Sequence, residues 1–567
     1  MLDVAVVGAG VGGCYAAYRL GRERPGAAAG RVALFERTHR IGGRLWSVRM
    51  SRSPDLYAEL GAMRLHRGLT EVLDLVEHLG LTPDLAPFAF GRPENPVHVR
   101  GVRLRGRDLA DGTAVPYRLG DRRRGRGPDD LLLDAAEAVL PGFGALRRDH
   151  HEARRRGAFD EAARTAALFA TLRDRGALGS SPLRQLAWAD VLLTVLGPEA
   201  TALVHDAGGY DIGSGSDSGP GTRSDVAAGS GFRAGSGSGS GSGSGRQNAA
   251  EHLDVVFRTP PAAEYLTLRS GMQGLPRTLY TRFTAAGGHT HLGHRLLRVD
   301  RAPARDRRTR TAGPRYRLTF ALDDDRGRAT GVHVRVHARA VILALPQGPL
   351  RELDATALPF TPTMLRDLDA VESVPAHKLF LLYPNAWWRR LGITAGRGTT
   401  DGPLRQVWYG GTCPRPDDGD TEGPTLLLAA YPNGHSAHAW CTADPEPGRQ
   451  ARDTDPAGAD AAVVERAHRL LGDMHGLSDL PTPLASCRQD WNRPPYGGAW
   501  HVWRPGHDSR IVGPRMRRPV PGEAIHIVGD CWTTDPGSIE GTIDCAETVL
   551  REHFGLAPPP WRRPPET

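Results

Sequence analysis

Asp3-Val4-Ala5-Val6-Val7-Gly8-Ala9-Gly10-Val11-Gly12-Gly13, continuing into Cys14-Tyr15-Ala16-Ala17-Tyr18-Arg19-Leu20 and then Arg31-Val32-Ala33-Leu34-Phe35-Glu36, decides the fold. Residues 3–7 read as a short strand buried on both faces, as in a parallel sheet. The glycine run opens a helical segment, and a second apolar strand ends in an acid. Strand, glycine turn, helix, strand and acid in that order predict a dinucleotide-binding βαβ unit. Gly8 permits the tight turn, Gly10 lets the backbone approach a pyrophosphate, and Gly13 lets helix and sheet pack closely. The helix N-terminus offers unpaired N–H groups to phosphates, and Glu36 is placed to accept from both ribose hydroxyls.

Working outward, 567 residues allow three or four domains' worth of packing at roughly 150 residues each. Helical periodicity is expected from about 129 to 205, strands at 315–322, 332–345, 425–428 and 524–530, and a helix over 540–552. Residues 213–246 are Gly/Ser-rich, bury almost nothing and read as a flexible insertion in a surface loop. The expected division is 1–70, 247–350 and 509–567 in a doubly wound α/β nucleotide-binding domain, 71–128 and 351–508 in a β-rich substrate domain, and 129–212 in a helical insert.

Composition excludes several function classes. No run approaches the roughly 18–20 apolar residues of a membrane span. The net charge of +8 invites a nucleic-acid partner, but Arg122-Arg123-Arg124 and Arg154-Arg155-Arg156 have acids beside them and no recognition module accompanies them. The six cysteines (14, 413, 441, 487, 531 and 545) have no metal-type spacing and fit a reducing compartment. The chain starts straight into the first strand, so the expected location is cytoplasmic.

Of 72 basic residues, a single one is lysine, Lys378. Lysine and arginine are nearly interchangeable on a surface. They differ where chemistry needs a compact amine whose pKa can fall, because guanidinium stays charged.

Further motifs carry a family resemblance. Arg40-Ile41-Gly42-Gly43-Arg44 and Glu59-Leu60-Gly61-Ala62-Met63-Arg64 follow the βαβ unit. Ser270-Gly271-Met272-Gln273-Gly274-Leu275-Pro276, Ala344-Leu345-Pro346, His377-Lys378-Leu379-Phe380-Leu381 with Trp387-Trp388, and Thr400-Asp401-Gly402-Pro403-Leu404-Arg405 come next. Gly529-Asp530 and Gly537-Ser538-Ile539-Glu540-Gly541-Thr542 close the series. In this order they resemble the flavin-containing amine oxidase superfamily, and within it the L-amino acid oxidases.

The resemblance implies FAD, with the pyrophosphate at Gly8, Gly10, Gly12 and Gly13 and the adenosine ribose at Glu36 beside Arg37. It implies that Gly43, Arg44 and the turn Gly61, Ala62, Met63 and Arg64 lie near the isoalloxazine and phosphates. Gly529 and Asp530 would face the ribityl phosphate region. A helix starting near Thr542, with Ile543 and Ser538 beside it, would aim its positive end at the flavin N1–C2=O edge. Lys378 falls on the position whose amine holds a water against flavin N5. Arg64 matches the guanidinium that clamps a substrate carboxylate bidentately, and Tyr431 the phenol that donates to the same carboxylate. The covalent flavin enzymes carry Cys after a Gly-Gly that here is Gly497-Gly498, followed by Ala499, so the FAD is expected to be dissociable. Ser538 stands where the family has Trp. With Ala499 small as well, the pocket is expected to be enlarged for a bulky side chain unless Trp500, Trp503 or Trp532 fills it; Trp491 and Trp408 are candidate further walls.

The activity implied is oxidation of L-amino acids by hydride transfer from Cα to flavin N5, giving an imino acid, then a 2-oxo acid, ammonia and hydrogen peroxide. An amino acid 2-monooxygenase, a monoamine or polyamine oxidase, and a flavoprotein without turnover stay open as alternatives. The partners implied are the small-molecule substrate and oxygen, with neither nucleic acid nor membrane. Family members are often homodimeric, and the residues themselves mark no interface.

Overall fold

In the computed structural model, which describes residues 1–23, 31–111, 114–209, 247–261, 263–302, 315–354, 361–410, 423–440 and 459–562, the first strand is Leu2–Val7. Strand side chains alternate between faces, and both faces here are covered. Val4 and Val6 join a core with Tyr15, Leu20, Leu279 and Val549, while Ala5 and Val7 join another with Leu318, Phe320 and Ile527. The strand pairs in parallel with Val32–Phe35 on one side and Ala329–Leu343 on the other, Val6 lying between Leu34 and Ile342. His289–His291 extends the sheet beyond Val32–Phe35, and Ile525–Ile527 pairs in parallel with the end of Ala329–Leu343. The long strand also turns antiparallel to Tyr316–Asp323, which pairs with His294–Arg301. One sheet is thus assembled from segments far apart in the chain. The helices Val11–Glu23, Gly274–Ala285 and Ile539–Phe554 cover one face.

The strand expected over 524–530 is shorter than the sequence suggested, Ile525–Ile527. Val528 N–H still donates to Leu343 O (3.1 Å), and the chain leaves the sheet at Gly529, which takes φ +149°, a conformation open to glycine.

A second seven-stranded sheet runs Ala485–Asp490, His377–Tyr383, Thr425–Ala430, Gln406–Tyr409, Gly396–Thr400, Pro96–Val99 and Val102–Arg105. A small antiparallel sheet sets Tyr265–Leu268 between Leu65–His66 and Leu85–Phe88. The helices Pro128–Val139, Phe143–Arg155, Phe159–Arg175, Trp188–Leu196 and Pro198–Gly208, expected from the periodicity, pack with Ala249–Arg258 around a core that they share with Val97, Val99 and Leu104 of the second sheet. Fully buried Asn248 binds that core to its surroundings. Its Oδ1 caps Ala249–Arg258 by accepting from Ala250 and Glu251 N–H, and its Nδ2 donates to the carbonyls of Arg184, Arg504 and His507. The Gly/Ser-rich 213–246 lies outside the described residues. No described helix is long and apolar enough to cross a membrane. Among the described residues Cys14, Cys487, Cys531 and Cys545 are buried free thiols.

Candidate active site

A cavity of about 550 Å³ runs from the carboxyl ends of the first sheet's parallel strands to the second sheet, where ligands of open α/β sheets bind. At the first-sheet end, Gly8, Gly10 and Gly12 line it. Gly13 does not. A Cβ there would lie 1.8 Å from the Gly8 carbonyl oxygen, so its smallness serves the approach of helix to strand. Gly10 is different, since the nearest atom to a Cβ would be the Cα of Gly43 at 4.0 Å, and at Gly529 nothing lies within 4 Å. Two stretches of bare backbone and a helix N-terminus therefore face open space that side chains would fill. This is a cradle for a pyrophosphate, and the residues present fit FAD.

Glu36 and Arg37 line the same end. The Glu36 carboxylate accepts from Ala9 N–H (2.7 Å), Thr38 N–H (2.8 Å) and the Thr38 hydroxyl (2.9 Å). A carboxylate has about four acceptor positions, so gripping both ribose hydroxyls requires one of these donors to yield. Gly43 and Arg44 also line the cavity. Arg44 bonds both oxygens of Asp530 and donates to the Ala499 carbonyl (3.1 Å), and His501 Nδ1 lies 3.4 Å from Asp530. Burial opposes ionisation of Asp530, but Arg44 and His501 outweigh it and hold the carboxyl well below the usual range. Arg44 and Asp530, expected to serve the cofactor separately, are thus one ion pair in its wall.

The closing helix begins at Ile539 rather than near Thr542. Ser538 is its N-cap, its hydroxyl accepting from Glu540 (3.0 Å) and Gly541 (3.4 Å) N–H. Ser538 and Thr542 line the cavity, whereas Ile543 is buried in the core beneath. Of the three tryptophans considered as fillers, Trp500 lines the cavity. Trp503 and Trp532 are turned away, their indole N–H groups donating to the carbonyls of Thr533 and Asp367. Trp491 is a wall, and its N–H donates to Leu60 O (2.7 Å).

At the second-sheet end the antiparallel register sets Leu379 opposite Ala430, so Lys378 and Tyr431 come side by side. Lys378 Nζ lies 4.8 Å from the centre of the Tyr431 ring. It donates to the carbonyls of Gly61 (2.6 Å) and Glu59 (2.9 Å) and lies 3.5 Å from Met63 Sδ. Burial, the largest effect, pulls the amine down from 10.5 to about 7, with Glu59 opposing and Arg64 adding. Glu59 is buried too, and burial lifts its carboxyl to about 7 against the Met272 N–H, the Ser47 hydroxyl and Lys378. A neutral amine spends both hydrogens on the two carbonyls and keeps a lone pair; an ammonium keeps none.

Gly61, Ala62, Met63 and Arg64 line the cavity together with Lys378, Tyr431 and Ala499. A Cβ at Gly61 would lie 1.9 Å from Arg44 O, so only glycine lets the two turns meet. The Arg64 guanidinium carbon lies 4.9 Å from the ring centre of Phe90, 5.2 Å from that of Trp408 and 5.5 Å from that of Tyr265. Trp408 is therefore behind Arg64 rather than in the cavity wall. His66 and Tyr265, which do line the cavity, escaped the sequence reading, as did Phe90 and the role of Glu59. His66 and Tyr265 lie in short paired strands, Glu59 ends the strand Ser53–Glu59 and Phe90 follows Leu85–Phe88, so it is strand pairing that brings them there.

Comparison with known proteins places this geometry. A family model described as flavin containing amine oxidoreductase matches residues 11–187 and 223–549. Aplysianin-A of Aplysia kurodai is 26% identical, over 98% of this chain and 90% of its own. The L-amino-acid oxidase of Mus musculus is 32% identical over 25% of this chain and 22% of its own. A solved putrescine oxidase, a double mutant with redesigned cofactor binding, covers 98% of this chain and 99% of its own with TM-score 0.59 at 16% identity, a likeness of fold.

Proposed function

From the premise that the chain belongs to the flavin-containing amine oxidoreductase family and takes FAD, we propose that it is an oxidase of L-amino acids with bulky side chains. One observation carries this reading. Arg64 and Tyr431 line the same cavity as Lys378, beside the glycine cradle. An amine oxidase without carboxylate recognition has no need of a guanidinium and a phenol in that place.

Arg64 takes the substrate carboxylate in a charge-assisted pair, which fixes orientation as well as charge. Tyr431 donates its hydroxyl to the same group, and the two contacts direct Cα toward the cradle end of the cavity. Positioning of this kind is the protein's main share of the catalysis. Bound FAD supplies the two-electron acceptor, and oxygen restores it. Lys378, as the neutral amine, offers its lone pair to a water in the cavity and so controls a proton donor beside the reacting groups. Ala499 and Ser538 leave room for a large side chain, with Trp500 and Trp491 as flat walls. Ala499 offers no thiol, which supports a dissociable cofactor.

The test is an anaerobic screen of the FAD-loaded enzyme against the twenty L-amino acids, following loss of flavin absorbance. Bleaching by bulky L-amino acids, with peroxide and a 2-oxo acid formed in air, is expected. Bleaching by simple amines alone would overturn the reading, and an amide product in place of the 2-oxo acid would reassign the outcome to a monooxygenase.

A further inference from the structure

We propose that Arg405 is a positioning residue that sets Tyr431 in the cavity wall, its backbone shaping the turn that holds Tyr431 and its guanidinium tying that turn to a helix end. The kinetic consequence rests on the reading of Tyr431 as a carboxylate contact; the placement of the residue does not.

Arg405 closes the segment Thr400-Asp401-Gly402-Pro403-Leu404-Arg405, which links the strands Gly396–Thr400 and Gln406–Tyr409. Its backbone takes φ +56°, a conformation that residues other than glycine rarely adopt. Gln406 N–H donates across it to Leu404 O (2.6 Å). Arg405 is thus the centre of a three-residue turn, and with positive φ such a turn is strained. The strain has a product. The carbonyls of Leu404 and Gln406 converge on one donor, Tyr431 N–H, at 3.1 Å each. Tyr431 lies one residue beyond the strand Thr425–Ala430, so these two bonds, rather than a strand ladder, hold its N–H.

Backbone strain persists only where the surroundings over-determine it, and here the guanidinium supplies the hold. Arg405 is 1% exposed and donates to Thr400 O (3.2 Å) within the turn and to His205 O (2.8 Å) in the last turn of Pro198–Gly208. Thr400 N–H donates in return to Arg405 O (2.9 Å). The last four carbonyls of a helix have no partner within it, and the helix dipole favours a cation beside them. Gln406 Nε2 donates to Gly209 O (2.9 Å) and Arg397 Nη1 to Gly208 O (3.0 Å) at the same helix end. The helical core and the second sheet therefore meet at the turn that places Tyr431.

The test reads two quantities in the FAD-loaded enzyme, KM for the best L-amino acid and the ε signals of Lys378, the chain's one lysine. Lys378 Nζ lies 4.8 Å from the centre of the Tyr431 ring, so these signals report where the ring is, and Tyr431→Leu gives their position without it. Arg405→Gly accepts the positive φ and removes the guanidinium. It should move the Lys378 signals toward the Tyr431→Leu position and raise KM roughly tenfold. Because Arg405 acts through Tyr431, adding Arg405→Gly to Tyr431→Phe should leave KM within about twofold of Tyr431→Phe alone. If Arg405→Gly does not fold, Arg405→Met, which keeps bulk without donors, takes its place. Lys378 signals at the parent position overturn the proposal, as does a KM increase that multiplies in the double variant. A parent KM in Tyr431→Phe removes the carboxylate contact from the proposed function and leaves the Lys378 signals to decide whether Arg405 places the ring.

Discussion

Because Lys378 is the only lysine in the chain, labelling with ¹⁵N- and ¹³C-lysine gives one side-chain signal, and its titration can be read without assignment. Burial is the dominant influence, bringing the amine from 10.5 to about 7. That drop corresponds to about 5 kcal/mol in favour of the neutral form. The charged group facing Lys378 with opposite sign is Glu59, and Arg64 is the one with like sign. Glu59→Gln keeps the shape of the side chain but removes the counter-charge, so the midpoint should move below that of the parent. The sign for stability follows. The folded value lies below the unfolded one, so between about 7 and 10.5 the unfolded chain binds the extra proton. Over that window the contribution of Lys378 to stability rises with pH, and it is least favourable below about 7. The assay is the ¹³Cε or ¹⁵Nζ shift from pH 5 to 11 in parent and Glu59→Gln. A parent midpoint at the ordinary lysine value, or one that Glu59→Gln leaves in place or raises, would refute the reasoning.

Other predictions separate the roles of the remaining groups. Arg64→Ala should retain FAD yet lose roughly tenfold to a few hundredfold in kcat/KM for L-amino acids, as expected for a charge-assisted contact, checked by steady-state kinetics. Gly10→Val should fold but purify without flavin, since its side chain would project into open cradle space. Gly13→Ala should fail to give stable protein, because its Cβ meets Gly8 O at 1.8 Å; circular dichroism and flavin absorbance distinguish the two. Asp530→Asn strands Arg44 in the cavity wall and should cost roughly 3–5 kcal/mol, read by chemical denaturation at neutral pH. In the parent the carboxyl is held below the usual range, so this stability is complete above about pH 4 and is lost only in stronger acid.

What the sequence determined by itself was the nucleotide-binding unit and its cradle, because both rest on local rules. The unbroken apolar run Val4-Ala5-Val6-Val7 makes Leu2–Val7 a strand, and glycines at 8, 10 and 13 are read from their spacing alone, since backbone geometry and close approach depend on near neighbours. The sole lysine was legible for a compositional reason, and the motif order carried Arg64 and Tyr431 into the same reading. Only the tertiary structure decided how these groups are held. Ser538, expected as a missing wall, lines the cavity and is also a helix cap; the second role went unread because capping depends on where the helix starts, a boundary that local pattern leaves loose by several residues. The Arg44–Asp530 pair, the Glu59 carboxyl behind Lys378 and the three rings around Arg64 join positions 26 to 486 residues apart. Contacts of that range arise from sheet register and from burial shared between segments, and neither quantity is written in any one stretch of chain.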